Sequence, residues 1–158
     1  MKAHAERPNV IPWPPIILAA ALIIGVALTI LYPLPWARGM ASDILQGAGI
    51  LLAMTATALY VTAMREMWRA GTAILPHHQA RRLVTSGPFK LTRNPIYLGN
   101  LILLTAFGLI LGSLWMFAVA VVAAFAEQKL GIEREEAHLE HRFGRAWRDY
   151  KKKVRRWI

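Results

Sequence analysis

Two groups of side chains in this sequence have the types and spacing to hold a charged ligand. The first is Arg93-Asn94-Pro95, near the end of the stretch Leu83–Gly99, LVTSGPFKLTRNPIYLG. The residue before a proline is pushed out of helical geometry, so Asn94 is expected to be extended and a helix to begin at Pro95. The first turn of such a helix carries N–H groups without partners and the positive end of the dipole, which together suit an anion such as a carboxylate. Arg93 and Arg81 add charge-assisted donors. Taken alone, Arg93 reads equally well as an arginine snorkelling from the end of a span. The second group is Glu133-Arg134-Glu135-Glu136. Adjacent helical residues point about 100° apart, so Glu135 can face a bundle while Glu136 faces water. A carboxylate at a bundle mouth could hold an ammonium or lie beside a sulfonium. Glu133 and Glu136 also read as ordinary acidic residues of a first helical turn.

Other chemistries lack an anchor. Glu135 and His138 make a single Glu-x-x-His pattern, followed by His141, whereas a di-metal bundle takes two such motifs and further carboxylates. No metal is expected. The absence of cysteine excludes disulfides, thiolate zinc sites and cysteine nucleophiles. There is no Gly-x-Ser-x-Gly and no phosphate loop. Gly47-Ala48-Gly49 lies inside an apolar run with no third glycine in register, so it is not a dinucleotide fingerprint.

The elements that position these groups read as membrane spans. Apolar residues make up 56% of the 158, and the mean hydropathy is +0.36. That predicts an all-α integral membrane protein in a single domain. Pro14 and Pro15 lead into an uncharged run, 16–32, ended by Pro33 and Pro35. A cleaved signal peptide is the alternative there, but the run is long for a signal core. A second uncharged span is expected over 44–64, with Gly47, Gly49, Ala53, Ala56 and Ala58 as a small-residue packing surface. After Pro95 the chain is apolar to Ala126, divided at Gly112-Ser113 into two short helices, 96–111 and 114–127. They read as a tight helical hairpin, giving about four spans in all.

Arg65 to Arg93 reads as a long basic connection, either functional or a solvated linker. Ile74, Leu75, Leu83, Val84 and Phe89 argue for the former, since a disordered linker does not need them. Beyond residue 128, Leu139, Phe143, Trp147, Tyr150, Val154 and Trp157 form one apolar stripe on a basic helix that can break at Gly144. Such a helix suits a surface of anionic lipids. The net charge of +10 therefore points to lipid and not to nucleic acid, because the basic residues cluster where spans end. With four spans, 18 of the 19 basic residues fall on the side of the two termini, leaving Arg38 opposite. The positive-inside rule makes that side cytoplasmic, so 69–95 and 128–158 share the cytosolic face of a multi-pass membrane protein, expected in a bacterial inner membrane.

The ordered set LVTSGPFKLTRNPIYLG, a hairpin, and EREEAHLEHRFGRAWRDYKKKVRRW resembles the isoprenylcysteine carboxyl methyltransferase family and its bacterial relatives in the wider phospholipid-methyltransferase group. The resemblance runs from about residue 69 to 158, with Arg69-Ala70-Gly71-Thr72 and Pro76 also matching the bacterial members. It implies S-adenosylmethionine as methyl donor on the cytosolic side and a lipophilic acceptor from the bilayer, either a carboxylate of the isoprenylcysteine type or a phospholipid amine. The implied cofactor contacts are Arg81, Arg82, Leu83, Val84, Gly87, Pro88, Phe89, Arg93, Asn94, Pro95, Ile96, Tyr97, Glu135 and Glu136. Arg93 and Glu135 are the implied catalytic pair. In this reading Arg93, Arg81 and the amides after Pro95 hold the methionyl carboxylate, Glu135 the amino or ribose end, and Phe89, Tyr97 and Leu83 the adenine.

Two positions depart from the family pattern. Asn94 stands where histidine is common, and asparagine cannot take a proton. Gly131 stands where the eukaryotic enzymes carry an arginine, with Lys129 and Arg134 nearby, so the acceptor can differ. Two other readings stay open: an NADPH-dependent membrane reductase of related fold, and a small non-catalytic membrane scaffold.

Overall fold

The computed structural model describes residues 11–72 and 82–158, and every regular element among them is helical. Arg81 lies outside the described residues. Helix α1, Trp13–Leu31, starts on Pro14-Pro15, where a missing N–H costs nothing. Helix α2 is Met40–Arg69 and α3 is Pro95–Leu111. Helix α4, Leu114–Ala126, continues through a wider π-helical stretch, Glu127–Ile132, into α5, Glu133–Phe143. Helix α6 is Arg145–Lys153, and a short 3₁₀ turn, Gly87–Lys90, precedes α3.

Among the described residues, three helices are long and apolar enough to cross a membrane: Trp13–Leu31, Met40–Arg69 and the continuous Leu114–Phe143. Helix α3 is equally apolar but has only 17 residues. Outward-facing Ile23, Ile30, Ile44, Leu51, Met54, Val122 and Phe125 are each 65–73% exposed. An exterior so apolar belongs in hydrocarbon, and the protein is a membrane protein.

Two boundaries differ from expectation. Helix α2 does not stop at Met64 but runs through Arg65 and Glu66 to Arg69. Its charged end is an extension beyond the apolar segment, with Arg69 paired to Glu66 at 3.2 Å. It ends where Gly71 adopts φ +63°, the Gly71 N–H bonding to the Trp68 carbonyl and the Thr72 N–H to that of Met67. That pair of hydrogen bonds satisfies two of the last carbonyls and needs a residue free to take positive φ. The last apolar helix likewise passes residue 127 without a break and stops at Gly144.

Helix α2 packs along α3, and α1 along α4. Of the small residues expected on the packing face of α2, Gly49 and Ala56 are buried, joined by Ala63. Their seven-residue spacing makes one seam of the kind that gives shallow helix crossings. A Cβ at Gly49 would sit 2.9 Å from the Ala106 carbonyl oxygen, whereas Gly47 faces open space. Ile17, Ala21, Leu104, Met116, Ala120 and Ala123 fill the core between α1, α3 and α4.

The aromatic stripe near the C-terminus is used differently from expectation. Trp147 and Tyr150 turn inward onto protein, at 2% and 7% exposure. The Tyr150 hydroxyl donates to the Phe89 carbonyl at 2.6 Å. Burial pushes that phenol up to about 12, against a smaller opposing pull from Arg93, so it remains a donor at physiological pH. Tyr150→Phe is expected to lower stability by about 1 kcal/mol, read as a lower unfolding midpoint in detergent. An unchanged midpoint would show that the bond adds nothing. After α6 the chain folds back as a strap. The Arg155 carbonyl accepts from the Arg93 N–H, and the Arg156 carbonyl from Thr92 Oγ1 and Asn94 Nδ2.

Candidate functional site

The strap decides how α3 begins. Asn94 would ordinarily cap the helix with its side chain, but that side chain donates to Arg156 and makes no cap. The first-turn amides of Ile96 and Tyr97 are left uncapped at the positive end of the helix dipole. Arg93 precedes this turn with its side chain only 7% exposed. Its Nη1 lies 3.2 Å from Glu136 Oε1, and its guanidinium stacks 5.4 Å from the centre of the Trp147 ring. Among the described residues, Arg93 Nε and Nη1 have no hydrogen-bond acceptor. Buried donors without acceptors are rare and costly.

Glu136 is not the solvated helix-end acid that its position suggests. It is buried between two arginines, Arg156 holding it through both Nε at 3.1 Å and Nη2 at 2.8 Å. Glu135, half-buried, accepts from the Tyr97 hydroxyl at 3.3 Å. Both carboxylates therefore face protein. The physical reason is the π-helical stretch before them, which adds a residue to its turn and rotates α5 by about 100° relative to an ordinary continuation of the helix. Gly131 lies in that stretch, where a Cβ would sit 2.5 Å from Tyr97 Oη. Gly131→Ala is expected to displace the Tyr97 phenol and to destabilise by about 1–3 kcal/mol. Thermal unfolding would measure it, and a wild-type midpoint would show that Tyr97 can give way freely.

These groups meet on one cavity of about 380 Å³. Of the residues expected at the site, Phe89, Arg93, Asn94, Pro95, Ile96, Tyr97 and Glu135 line it. Arg82, Leu83, Val84, Gly87, Pro88 and Glu136 do not. The segment before α3 is docked elsewhere: Glu66 binds Ser86 Oγ, and a Cβ on Gly87 would meet the Glu66 side chain at 2.7 Å. Arg82 is exposed, and Glu136 stands behind Arg93 rather than on the cavity.

The opposite wall comes from residues that carried no chemical signal in the sequence. Pro14, Pro15 and Leu18 of α1 line it with Tyr60, Met64 and Met67 of α2, and Asn100 closes it from α3. An apolar residue in a span looks the same whether it faces lipid or ligand. Asn100 and Tyr60, polar inside uncharged runs, are the two that the sequence does signal. The cavity thus has a charged wall at the helix start and an apolar one made by the first two helices.

The phospholipid methyltransferase family matches residues 45–146. An uncharacterized protein of Haemophilus influenzae is 38% identical over 63 residues, which are 40% of this chain and all of that one. The Delta(14)-sterol reductase of Mus musculus is 34% identical over 86 residues, covering 54% of this chain and 21% of the reductase. No solved structure matches. The family match takes in the helix start at Pro95, the Gly112-Ser113 turn and both glutamates, and with them the charged wall of the cavity: this chain belongs to the phospholipid methyltransferase family.

Proposed function

We propose that this protein transfers a methyl group from S-adenosylmethionine to a lipophilic acceptor at the cytosolic face of a membrane. The observation that carries the reading is the convergence of Arg93, the uncapped α3 start and Glu135 on one cavity whose far wall is apolar. The family supplies the reaction class.

The cavity's groups fit such a donor. Its carboxylate matches the Arg93 guanidinium, whose Nε has no acceptor, and the amides of Ile96 and Tyr97. Its cationic part matches Glu135, and its flat base matches the Phe89 and Tyr97 side. When bound, the donor supplies a methyl on a positively charged sulfur, an electrophile needing no metal or base to activate it. The protein's work is then alignment. Glu136 and Trp147 fix the Arg93 guanidinium, and Tyr97 fixes Glu135. Preorganisation of this kind can supply roughly 7–11 kcal/mol of a barrier. Asn94 stays out of any proton transfer, because its amide is committed to the strap.

In this reading the chain crosses four times, α3 and α4 forming a hairpin, with both termini cytoplasmic, in a bacterial inner membrane. Helix α3 spans ~26 Å against a hydrocarbon core of ~30 Å, a small mismatch that local thinning absorbs. Exposed Arg145, Arg148, Lys151, Lys152 and Lys153 of α6 face anionic headgroups. The acceptor is a carboxylate of the isoprenylcysteine type or a phospholipid amine. A second reading, an NADPH-dependent reductase, is favoured by the similarity to the sterol reductase. Incubating the purified protein with methyl-labelled donor, NADPH and a lipid extract tests the proposal. Label in a lipid product supports it, while NADPH oxidation without label supports the reductase.

A further inference from the structure

The inner end of the cavity carries a polar chain that has no part in holding the donor. Asn100 lies ~7 Å along α3 from Pro95, inside the bundle. It is 2% exposed. Its Nδ2 donates to the Pro14 carbonyl at 3.2 Å and to Glu127 Oε1. A carbonyl can only accept, so the Asn100 amide is fixed with nitrogen towards Pro14 and Oδ1 away from it. Oδ1 takes the Tyr60 hydroxyl at 2.7 Å. Tyr60 has one hydrogen to give, and Asn100 holds it. Towards the cavity, which both residues line, Tyr60 therefore offers only a lone pair. Behind them Glu127 is fully buried, and its Oε2 has no hydrogen-bond partner among the described residues. A chain so deep, with one end unmatched, is expensive and stays only where its orientation has a use.

We propose that Tyr60 is a specificity-determining residue: its hydroxyl, locked by Asn100 and Glu127 as an acceptor, selects methyl acceptors that bring an N–H or O–H donor and disfavours carboxylates. This rests on the reading of the cavity as the methyl-transfer site. It divides the cavity into a donor end, Arg93 and the α3 amides, and an acceptor end at Tyr60. An ionised carboxylate at the acceptor end would meet the Tyr60 lone pair and gain no hydrogen bond from it. An amine or hydroxyl would be aligned by its own hydrogen. Asn100 and Glu127 are positioning residues that act through Tyr60.

The test compares binding of dodecanol with that of its methyl ether, which differ in the donor hydrogen. Calorimetry on the full-length protein in detergent, saturated with S-adenosylhomocysteine, reads both affinities. Wild type is expected to prefer the alcohol about five- to tenfold, the worth of one ordinary hydrogen bond. Tyr60→Phe keeps the ring packed on Gly99 and should remove the preference by weakening the alcohol alone. Asn100→Leu should free the Tyr60 hydroxyl to donate and so strengthen the ether. A merely structural role would weaken both ligands alike in both variants. Equal binding of the two ligands by wild type, binding of neither, or a preference kept in Tyr60→Phe overturns the proposal. S-adenosylhomocysteine binding, measured first, separates the two levels: if it is absent, the methyl-transfer reading falls and this proposal with it.

Discussion

Glu136→Ala is expected to destabilise the protein by about 3–5 kcal/mol, the usual cost of removing one partner of a buried ion pair. Glu136 stands against two guanidiniums, and they do not suffer equally. The Arg156 side chain is 31% exposed and can turn to water, but that of Arg93 is 7% exposed and cannot. Without the carboxylate, Arg93 keeps only its stacking on Trp147, worth at most about 2 kcal/mol. The loss should also reach function, because the strap, Asn94 and the α3 start all meet where Arg93 is held. The contrasting variant is Arg93→Met with Glu136→Leu. It removes both charges and fills the same space, so it should be far less destabilised while still unable to bind an anion. Denaturation in mixed micelles would compare them. A single variant no less stable than the double would show that the Glu136–Arg93 contact is not what holds this face together.

Glu135→Gln is expected to leave the fold nearly unchanged and to weaken donor binding about 10- to 100-fold. Glutamine keeps the shape and still accepts from the Tyr97 hydroxyl, so the packing of α3 against the π-helical stretch should survive. It loses the carboxylate that can pair with the donor's cationic part. A hydrogen bond to a charged group contributes ~1.5–3 kcal/mol, which sets that range. Unfolding and affinity measured on one sample separate the effects. A drop in stability matching the drop in affinity would make Glu135 a structural residue.

Residues differ in how much of their role the sequence makes legible. Asn94-Pro95 announces a helix start, and Gly112-Ser113 a turn, because proline and glycine restrict or free the backbone locally; both are where they were expected. Arg93 and Glu135 stand out as charges at the edges of apolar runs, and they do meet on one cavity. The division of labour between Glu135 and Glu136 was not legible, because it depends on a π-helical stretch that spacing at 3.6 residues per turn does not show. Nor was the strap, since hydrogen bonds from Thr92, Arg93 and Asn94 to backbone carbonyls of Arg155 and Arg156 leave no mark in side-chain types. The apolar stripe at Trp147 and Tyr150 was visible as a stripe, but periodicity cannot say whether lipid or protein covers it. The α1 and α2 side of the cavity was hidden for the same reason.

A cavity built for a zwitterionic sulfonium donor should bind S-adenosylmethionine through Arg93 and Glu135. Parallel calorimetric titrations of the wild-type protein, Glu135→Gln and the Arg93→Met/Glu136→Leu double variant with S-adenosylmethionine and with NADPH test it most directly. Wild type is expected to bind S-adenosylmethionine, both variants to lose at least about tenfold in affinity, and NADPH not to compete. Equal binding of S-adenosylmethionine by all three proteins, or binding of NADPH alone, would contradict it.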